Sequence, residues 1–256
     1  MIFLYSGTPG SFKSYHAVAE SLDWLRMGRN LITNFPLDYK KKIRKPIKGD
    51  YQFLTDEEIT VDYLVDYARC HHHRGVKAQT LVVIDEASLK FNSRDYARRD
   101  RMTWINFLAN HRHFNFDFIL IAQNDRMLDR QIRCLIETEY KHRAIKNLKT
   151  IGFLIDLFFR GAFMCIEYWY PCKMQCGTQF KVFHKRIADC YDTMALFVKK
   201  DTSNTSDTSD TSDTSEVKKQ DVKNQGSDQQ KLTLLGNFCN LLNYRISCTR
   251  SNGFKT

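Results

Sequence analysis

Short apolar runs alternate with longer amphipathic ones along the first 199 residues. That order predicts strands joined by crossover helices, and hence a mostly parallel sheet flanked by helices. The first expected strand covers residues 2–5, Ile-Phe-Leu-Tyr. A helix is expected over 15–27, because Val18, Leu22 and Leu25 recur at helical spacing and Gly28 follows near its end. A short strand over 31–33 and a second helix over 59–67 come next, then a strand over 80–84, Thr-Leu-Val-Val-Ile. An unbroken, largely β-branched run of that kind suits a strand covered on both faces. A helix over 101–113 and another unbroken apolar strand over 116–122 follow. Beyond Met127 the alternation weakens, and 136–140, 163–168 and 179–183 are the further expected strands.

At Asp201 the character changes to a Thr-Ser-Asp triplet repeat that runs to Glu216, followed by a polar stretch to Lys231. Such a segment buries too little apolar surface to offset its ordering entropy. The expected organisation is therefore one α/β domain over 1–199, a disordered Thr/Ser/Asp-rich linker over 200–231 and a short C-terminal segment over 232–256. That last segment regains leucines (Leu232, Leu234, Leu235, Leu241, Leu242) and reads either as a docking element or as a disordered end.

Hydrophobic residues at 43% and charged residues at 27% fit a folded soluble chain and exclude a disordered or membrane-saturated one. The formal net charge of +10 lies entirely in residues 1–200, because the remainder carries as many acidic as basic groups. A basic domain attracts nucleic acid or an anionic membrane face, or simply carries a basic solvated surface around a nucleotide site. The run over 40–45 reads as a solvated loop. Eight cysteines with no secretory signal ahead of them point to free thiols in a reducing, cytoplasmic setting. Cys172 and Cys176, with Cys165 and Cys190 nearby, lack paired Cys-x-x-Cys spacing and read as buried thiols rather than a zinc knuckle. The apolar segment over 151–170 is interrupted by Asp156, Arg160 and Glu167, each costing about 2.5–3.5 kcal/mol at a membrane helix centre, so it reads as buried structure or an interfacial segment. His71, His72 and His73 read as a solvated turn. Trp104, Phe107, Phe114, Phe116 and Phe118 read as core rather than as a stacking surface for bases.

The candidate chemistry sits where strands end. Gly7, Thr8, Pro9, Gly10, Ser11, Phe12, Lys13 and Ser14 match the phosphate-binding pattern G-x-x-x-x-G-K-[ST] at every fixed position except the second glycine, which is Phe12. The loop follows a strand and opens a helix, so backbone N–H groups and a helix N-terminus face an anion. Lys13 reaches phosphate oxygens and the Ser14 hydroxyl ligates Mg2+. Asp85, directly after Leu-Val-Val-Ile, is placed as the Walker B carboxylate on the same ion, and Glu86 beside it orients and deprotonates water. Gln123 ends the strand over 116–122 and faces the same crevice, since ligands of open α/β sheets lie beyond the carboxyl ends of strands. The expected ligands are ATP and Mg2+. Phe12 brings strain if its position requires positive φ, and Phe12→Gly is expected to raise affinity or turnover.

These residues resemble the zonular occludens toxin family, whose members include assembly and export ATPases of filamentous phages. The resemblance covers about residues 1–190. It rests on Met-Ile-Phe-Leu before the loop, Asn34 after the second strand, Val-Ile-Asp-Glu-Ala ending at Ala87, and His-Arg-His over 111–113 before a strand that ends Ile-Ala-Gln. It implies a P-loop ATPase at the cytoplasmic face of the host inner membrane that helps extrude single-stranded DNA virions. Gln123 would then sense the γ-phosphate or the attacking water. The implied partners are further copies of the chain in a ring, phage assembly and secretion proteins, and single-stranded DNA or nucleoprotein. Arg112, Arg126, Arg130 and Arg133 are the candidates for an arginine that completes a neighbour's site. The alternative reading is a nucleotide-gated binding or scaffold protein in which Phe12 has slowed hydrolysis.

Overall fold

The computed structural model describes residues 1–40, 46–95, 97–145 and 161–191. They all fall within one compact unit, Met1–Asn204. The expected linker, the expected C-terminal segment, most of the basic run and residues 151–160 of the apolar segment lie outside the described residues. Among the described residues, no helix is long and apolar enough to cross a membrane.

Eight strands form one sheet: β1 Ile2–Ser6, β2 Asn30–Thr33, β3 Tyr51–Phe53, β4 Thr80–Ile84, β5 Phe116–Ala122, β6 Thr138–Ala144, β7 Ala162–Trp169 and β8 Met174–Val182. Their spatial order is β3-β2-β4-β5-β1-β6-β7-β8. All neighbours from β3 to β6 are parallel, whereas β7 and β8 are added antiparallel. The helices are α1 Lys13–Arg26, α2 Val61–His71, α3 Ala87–Lys90, α4 Arg101–Ala109, α5 Arg130–Cys134 and α6 Lys185–Ala188.

Side chains alternate across a strand, so each central strand feeds two cores. Ile2, Leu4, Val82, Ile84, Phe118 and Leu120 face α2 and α4, meeting Leu64, Trp104 and Leu108. Tyr5, Leu31, Leu81, Val83, Ile119 and Ile121 face α1, meeting Ala17, Val18, Leu22 and Leu25. This is a helix–sheet–helix sandwich built on a mostly parallel sheet. Ser6 pairs with Ala122, Ile84 with Leu120 and Thr33 with Val83. The carboxyl ends of four parallel strands therefore share one rim.

Several expectations shift. The helix expected over 101–113 stops at Ala109; Asn110 caps it, and the following turn reaches left-handed Asn115 (φ 61°) before β5 begins. Strand β3 has only three residues, too few for a periodic signal. Cys172 and Cys176 are exposed, not buried: Cys172 lies in the turn between β7 and β8, and Cys176 in the exposed first half of the edge strand β8. His72 is not merely solvated: its Nδ1 lies 2.6 Å from the Phe114 carbonyl and its Nε2 2.6 Å from Thr80 Oγ1. Trp104, Phe107, Phe116 and Phe118 are core residues.

Candidate nucleotide site

The loop leaves β1 at Gly7, whose φ of +146° suits glycine, and a Cβ there would fall 2.5 Å from the His142 carbonyl oxygen and 2.7 Å from Ser11 Oγ. Its N–H donates to the Gln123 carbonyl at 3.3 Å, which fixes the start of the loop to the end of β5. Thr8, Pro9 and Gly10 form an exposed tip, with Gly10 left-handed at φ +72°. The Ser11 N–H closes the turn onto the Thr8 carbonyl at 3.2 Å. Ser11 Oγ is buried without a hydrogen-bond partner.

Phe12, in place of the second glycine, adopts φ 69°, ψ 24°. A left-handed non-glycine residue costs of order 1–3 kcal/mol and persists where surrounding packing holds it. The packing is aromatic: the Phe12 ring stacks on Phe163 of β7 with centroids 5.2 Å apart and lies edge-on or tilted to Tyr15 and Phe183 at 6.2 and 5.8 Å.

Helix α1 opens at Lys13. The Lys13 ammonium donates to the carbonyls of Gly7 at 2.9 Å and Thr8 at 3.1 Å. Burial pushes its pKa below the usual lysine range, and the nearby carboxylates of Glu86 and Asp85 act against that shift. Asp85 is buried at the end of β4, and its backbone is clamped by Asn34, which accepts the Asp85 N–H at 2.7 Å and donates to the Asp85 carbonyl at 2.9 Å. One carboxylate oxygen accepts the Glu86 N–H at 2.9 Å and the other accepts the Tyr191 hydroxyl at 3.0 Å. Burial, with Asp85 second, pushes the Tyr191 phenol well above the ordinary tyrosine range, and the nearby Ser14 hydroxyl acts against that shift. Glu86 is exposed and left-handed at φ 47°. A cleft of about 410 Å³ opens beside Gly7, Thr8 and Gln123, walled by Asp125, Glu139 and Lys141.

Lys13, Ser14 and Asp85 thus converge, with Glu86 and Gln123 at flanking strand ends of the same rim. Arg112 does not join them. It precedes β5, at the amino end of that strand, and pairs with Glu137. Arg126 and Arg130 are exposed in the segment after β5. Tyr191 carries no sequence signal, since it contacts Asp85 across 106 residues of chain. Asn34 is part of the family pattern, and its clamp on Asp85 is visible only in three dimensions.

The gene 1 protein of Escherichia phage If1 is 27% identical over 159 residues, which is 61% of this chain and 45% of that protein. The chain therefore spans under half the length of that relative. The solved N-terminal domain of zonular occludens toxin from Neisseria meningitidis is 20% identical, with a TM-score of 0.45 over 75% of this chain and 98% of the other. B204, the DNA-packaging ATPase from Sulfolobus Turreted Icosahedral Virus, is 18% identical, with a TM-score of 0.46 over 72% of this chain and 98% of the other. A family model described as zonular occludens toxin (Zot) matches residues 1–170, which covers every strand but β8 at the sheet's far edge and the whole candidate site but Tyr191, so this chain belongs to the zonular occludens toxin family.

Proposed function

We propose that this chain binds ATP with Mg2+ at residues 7–14 and hydrolyses it, driving assembly or extrusion of a filamentous, single-stranded DNA phage. The carrying observation is the convergence of Lys13, Ser14 and Asp85 where β1 turns into α1. The loop fits a phosphate chain: Gly7 leaves no room for a side chain, Ser11 Oγ is buried without a partner, and the Lys13 ammonium rests on carbonyls it can leave for a better acceptor. Ser14 and Asp85 would hold Mg2+, which supplies charge neutralisation on the phosphates. Tyr191 has to release Asp85 and Ser14 for that ligation. Glu86 accepts a proton from water, and Gln123 orients it from the end of β5. We further place the active form as a ring of copies at the cytoplasmic face of the host inner membrane, with Arg126 or Arg130 reaching a neighbour's site. Phage secretion proteins and single-stranded DNA or nucleoprotein complete the machine.

Steady-state hydrolysis by the purified chain tests the first half: Lys13→Ala abolishes nucleotide binding and turnover, and undiminished activity places catalysis elsewhere. In a host carrying the phage genome, the same substitution blocks virion release while phage DNA continues to accumulate. The second reading, a nucleotide-gated scaffold with little hydrolysis, is favoured by left-handed Phe12 and by Tyr191 on Asp85. Tight ATP binding without turnover in the assembled oligomer selects it.

A further inference from the structure

His16 of α1, His142 of β6 and Cys165 of β7 meet beneath the phosphate loop. His16 Nδ1 and His142 Nε2 are 2.8 Å apart, and Cys165 Sγ lies 3.9 and 3.8 Å from them. Each residue is 1% exposed, and the three donor atoms lie within 4.8 Å of one another. No described segment other than the P-loop gathers so much ligand chemistry, and the proposed reaction uses none of it. Two imidazoles and a thiol form a donor set suited to zinc and softer ions, not to Mg2+.

The geometry is close to what such an ion needs. Bond lengths of about 2.0–2.1 Å to nitrogen and 2.3 Å to sulfur put tetrahedral nitrogens about 3.3 Å apart and sulfur about 3.6 Å from each. Small rotations of the two rings and the thiol cover the difference. The outer partners are also in place. His142 Nδ1 donates to the Ser6 carbonyl at 3.2 Å, which leaves Nε2 as its lone-pair nitrogen. His16 Nε2 lies 3.2 Å from Glu20 Oε1, the carboxylate–histidine arrangement that directs the opposite nitrogen at a metal. Tyr5 stacks on His16 at 4.8 Å and Phe163 on His142 at 6.1 Å, forming an apolar sheath. A cavity of about 160 Å³ opens beside His16, Glu20, Tyr140 and Lys181 and supplies an entry path.

We propose that His16, His142 and Cys165 bind a thiophilic transition-metal ion of the Zn2+ class, fastening α1 to β6 and β7 under the phosphate loop. The exchange balances. In the structure the His16 Nδ1–H donates to His142 Nε2, and the Lys181 ammonium donates to His16 Nε2. On binding, the His16 proton moves to Nε2, where Glu20 accepts it; Lys181 stays on Glu20 at 3.1 Å. The Cys165 thiol, pushed up to about 12 by burial, gives its proton to solvent as the thiolate joins the ion. Burial holds the His142 imidazole down at about 3, neutral and available. The carbonyl of His142 abuts Gly7, so the ion stiffens the floor of the loop.

The full chain, stripped with a chelator and titrated with Co2+ as a spectroscopic stand-in for Zn2+, tests this. The expected result is a sulfur-to-cobalt charge-transfer band that Zn2+ displaces and Mg2+ does not, with a rise in unfolding temperature. Cys165→Ala loses the band and the rise while circular dichroism stays native; Cys165→Ser serves if the alanine variant does not fold. Glu20→Gln weakens the affinity about tenfold without removing the band. No band, or a band that survives Cys165→Ser because exposed thiols such as Cys172 supply it, overturns the proposal. None of these readouts depends on nucleotide turnover.

Discussion

The sheet has two unlike ends. From β3 to β1 the strands are parallel, and β4 and β5 are buried at every residue. β6 is still parallel to β1, but after it the chain turns back on itself in the antiparallel β7 and β8, and every residue of β8 is exposed or half-exposed. The parallel end supplies Asp85, Glu86, Gln123 and the loop. The hairpin supplies no group to the phosphate-binding pattern, yet Phe163 is the ring on which left-handed Phe12 stacks, and the β8 end holds Tyr15 through the Val182 carbonyl and the His184 N–H. Parallel strands thus position the candidate nucleotide site, and the antiparallel hairpin packs against its loop.

Glu86→Gln separates the two roles most strongly. Removing a general base costs about 100- to 10,000-fold in turnover. Because Glu86 is exposed, stability and ATP affinity should change little. Single-turnover hydrolysis beside equilibrium binding checks this, and retained turnover would move the base to another residue.

Phe163→Ala probes the hairpin. Phe163 is fully buried, so truncation should cost about 3–5 kcal/mol in a denaturant titration. Phe180→Ala, on a ring 69% exposed in the neighbouring strand, should stay within about 0.5 kcal/mol. If the hairpin braces the loop, Phe163→Ala also weakens nucleotide binding under conditions where the chain remains folded, and Phe180→Ala does not. Equal affinities in the two variants would leave the hairpin with a packing role alone.

Tyr191→Phe is a smaller perturbation on the parallel side. It removes the hydroxyl that occupies one oxygen of Asp85 and contacts Ser14. Releasing a hydrogen bond of about 1 kcal/mol from two groups proposed to take Mg2+ should raise Mg2+-dependent ATP affinity about fivefold. An unchanged or weaker affinity would mean that Tyr191 does not compete with the ion.

The same division decides what could be read from sequence. Strands β4 and β5 were legible to the residue, because burial on both faces demands an unbroken apolar run. The loop and Asp85 were legible because each follows a strand end at a fixed spacing. In β8 the alternation is blurred, since neither face is fully covered, and only its second half registers as a strand. The buried cluster of His16, His142 and Cys165 is invisible to spacing, because its members come from three elements and the two histidines are 126 residues apart. Tyr191 is hidden for the same reason. Asn34 marks the family, but nothing in the chain order shows that it holds the backbone of Asp85.

Phe12 is where the two ends of the sheet meet, and it changes one sequence-based expectation. Read alone, the departure from glycine suggests that Phe12→Gly relieves strain and improves the site. The stacked ring means that the substitution also removes a contact with β7, so relief of about 1–3 kcal/mol is offset by lost aromatic packing of similar size. Comparison with Phe12→Ala isolates the strain, because both variants lose the ring and only alanine keeps a Cβ at positive φ. Glycine at a left-handed position should then be more stable than alanine by about 1 kcal/mol, despite its larger unfolded-state entropy. Thermal unfolding of the two variants measures that difference. A more stable alanine variant would show that the loop does not hold residue 12 left-handed in solution, and the aromatic brace from the hairpin would then have no strained residue to hold.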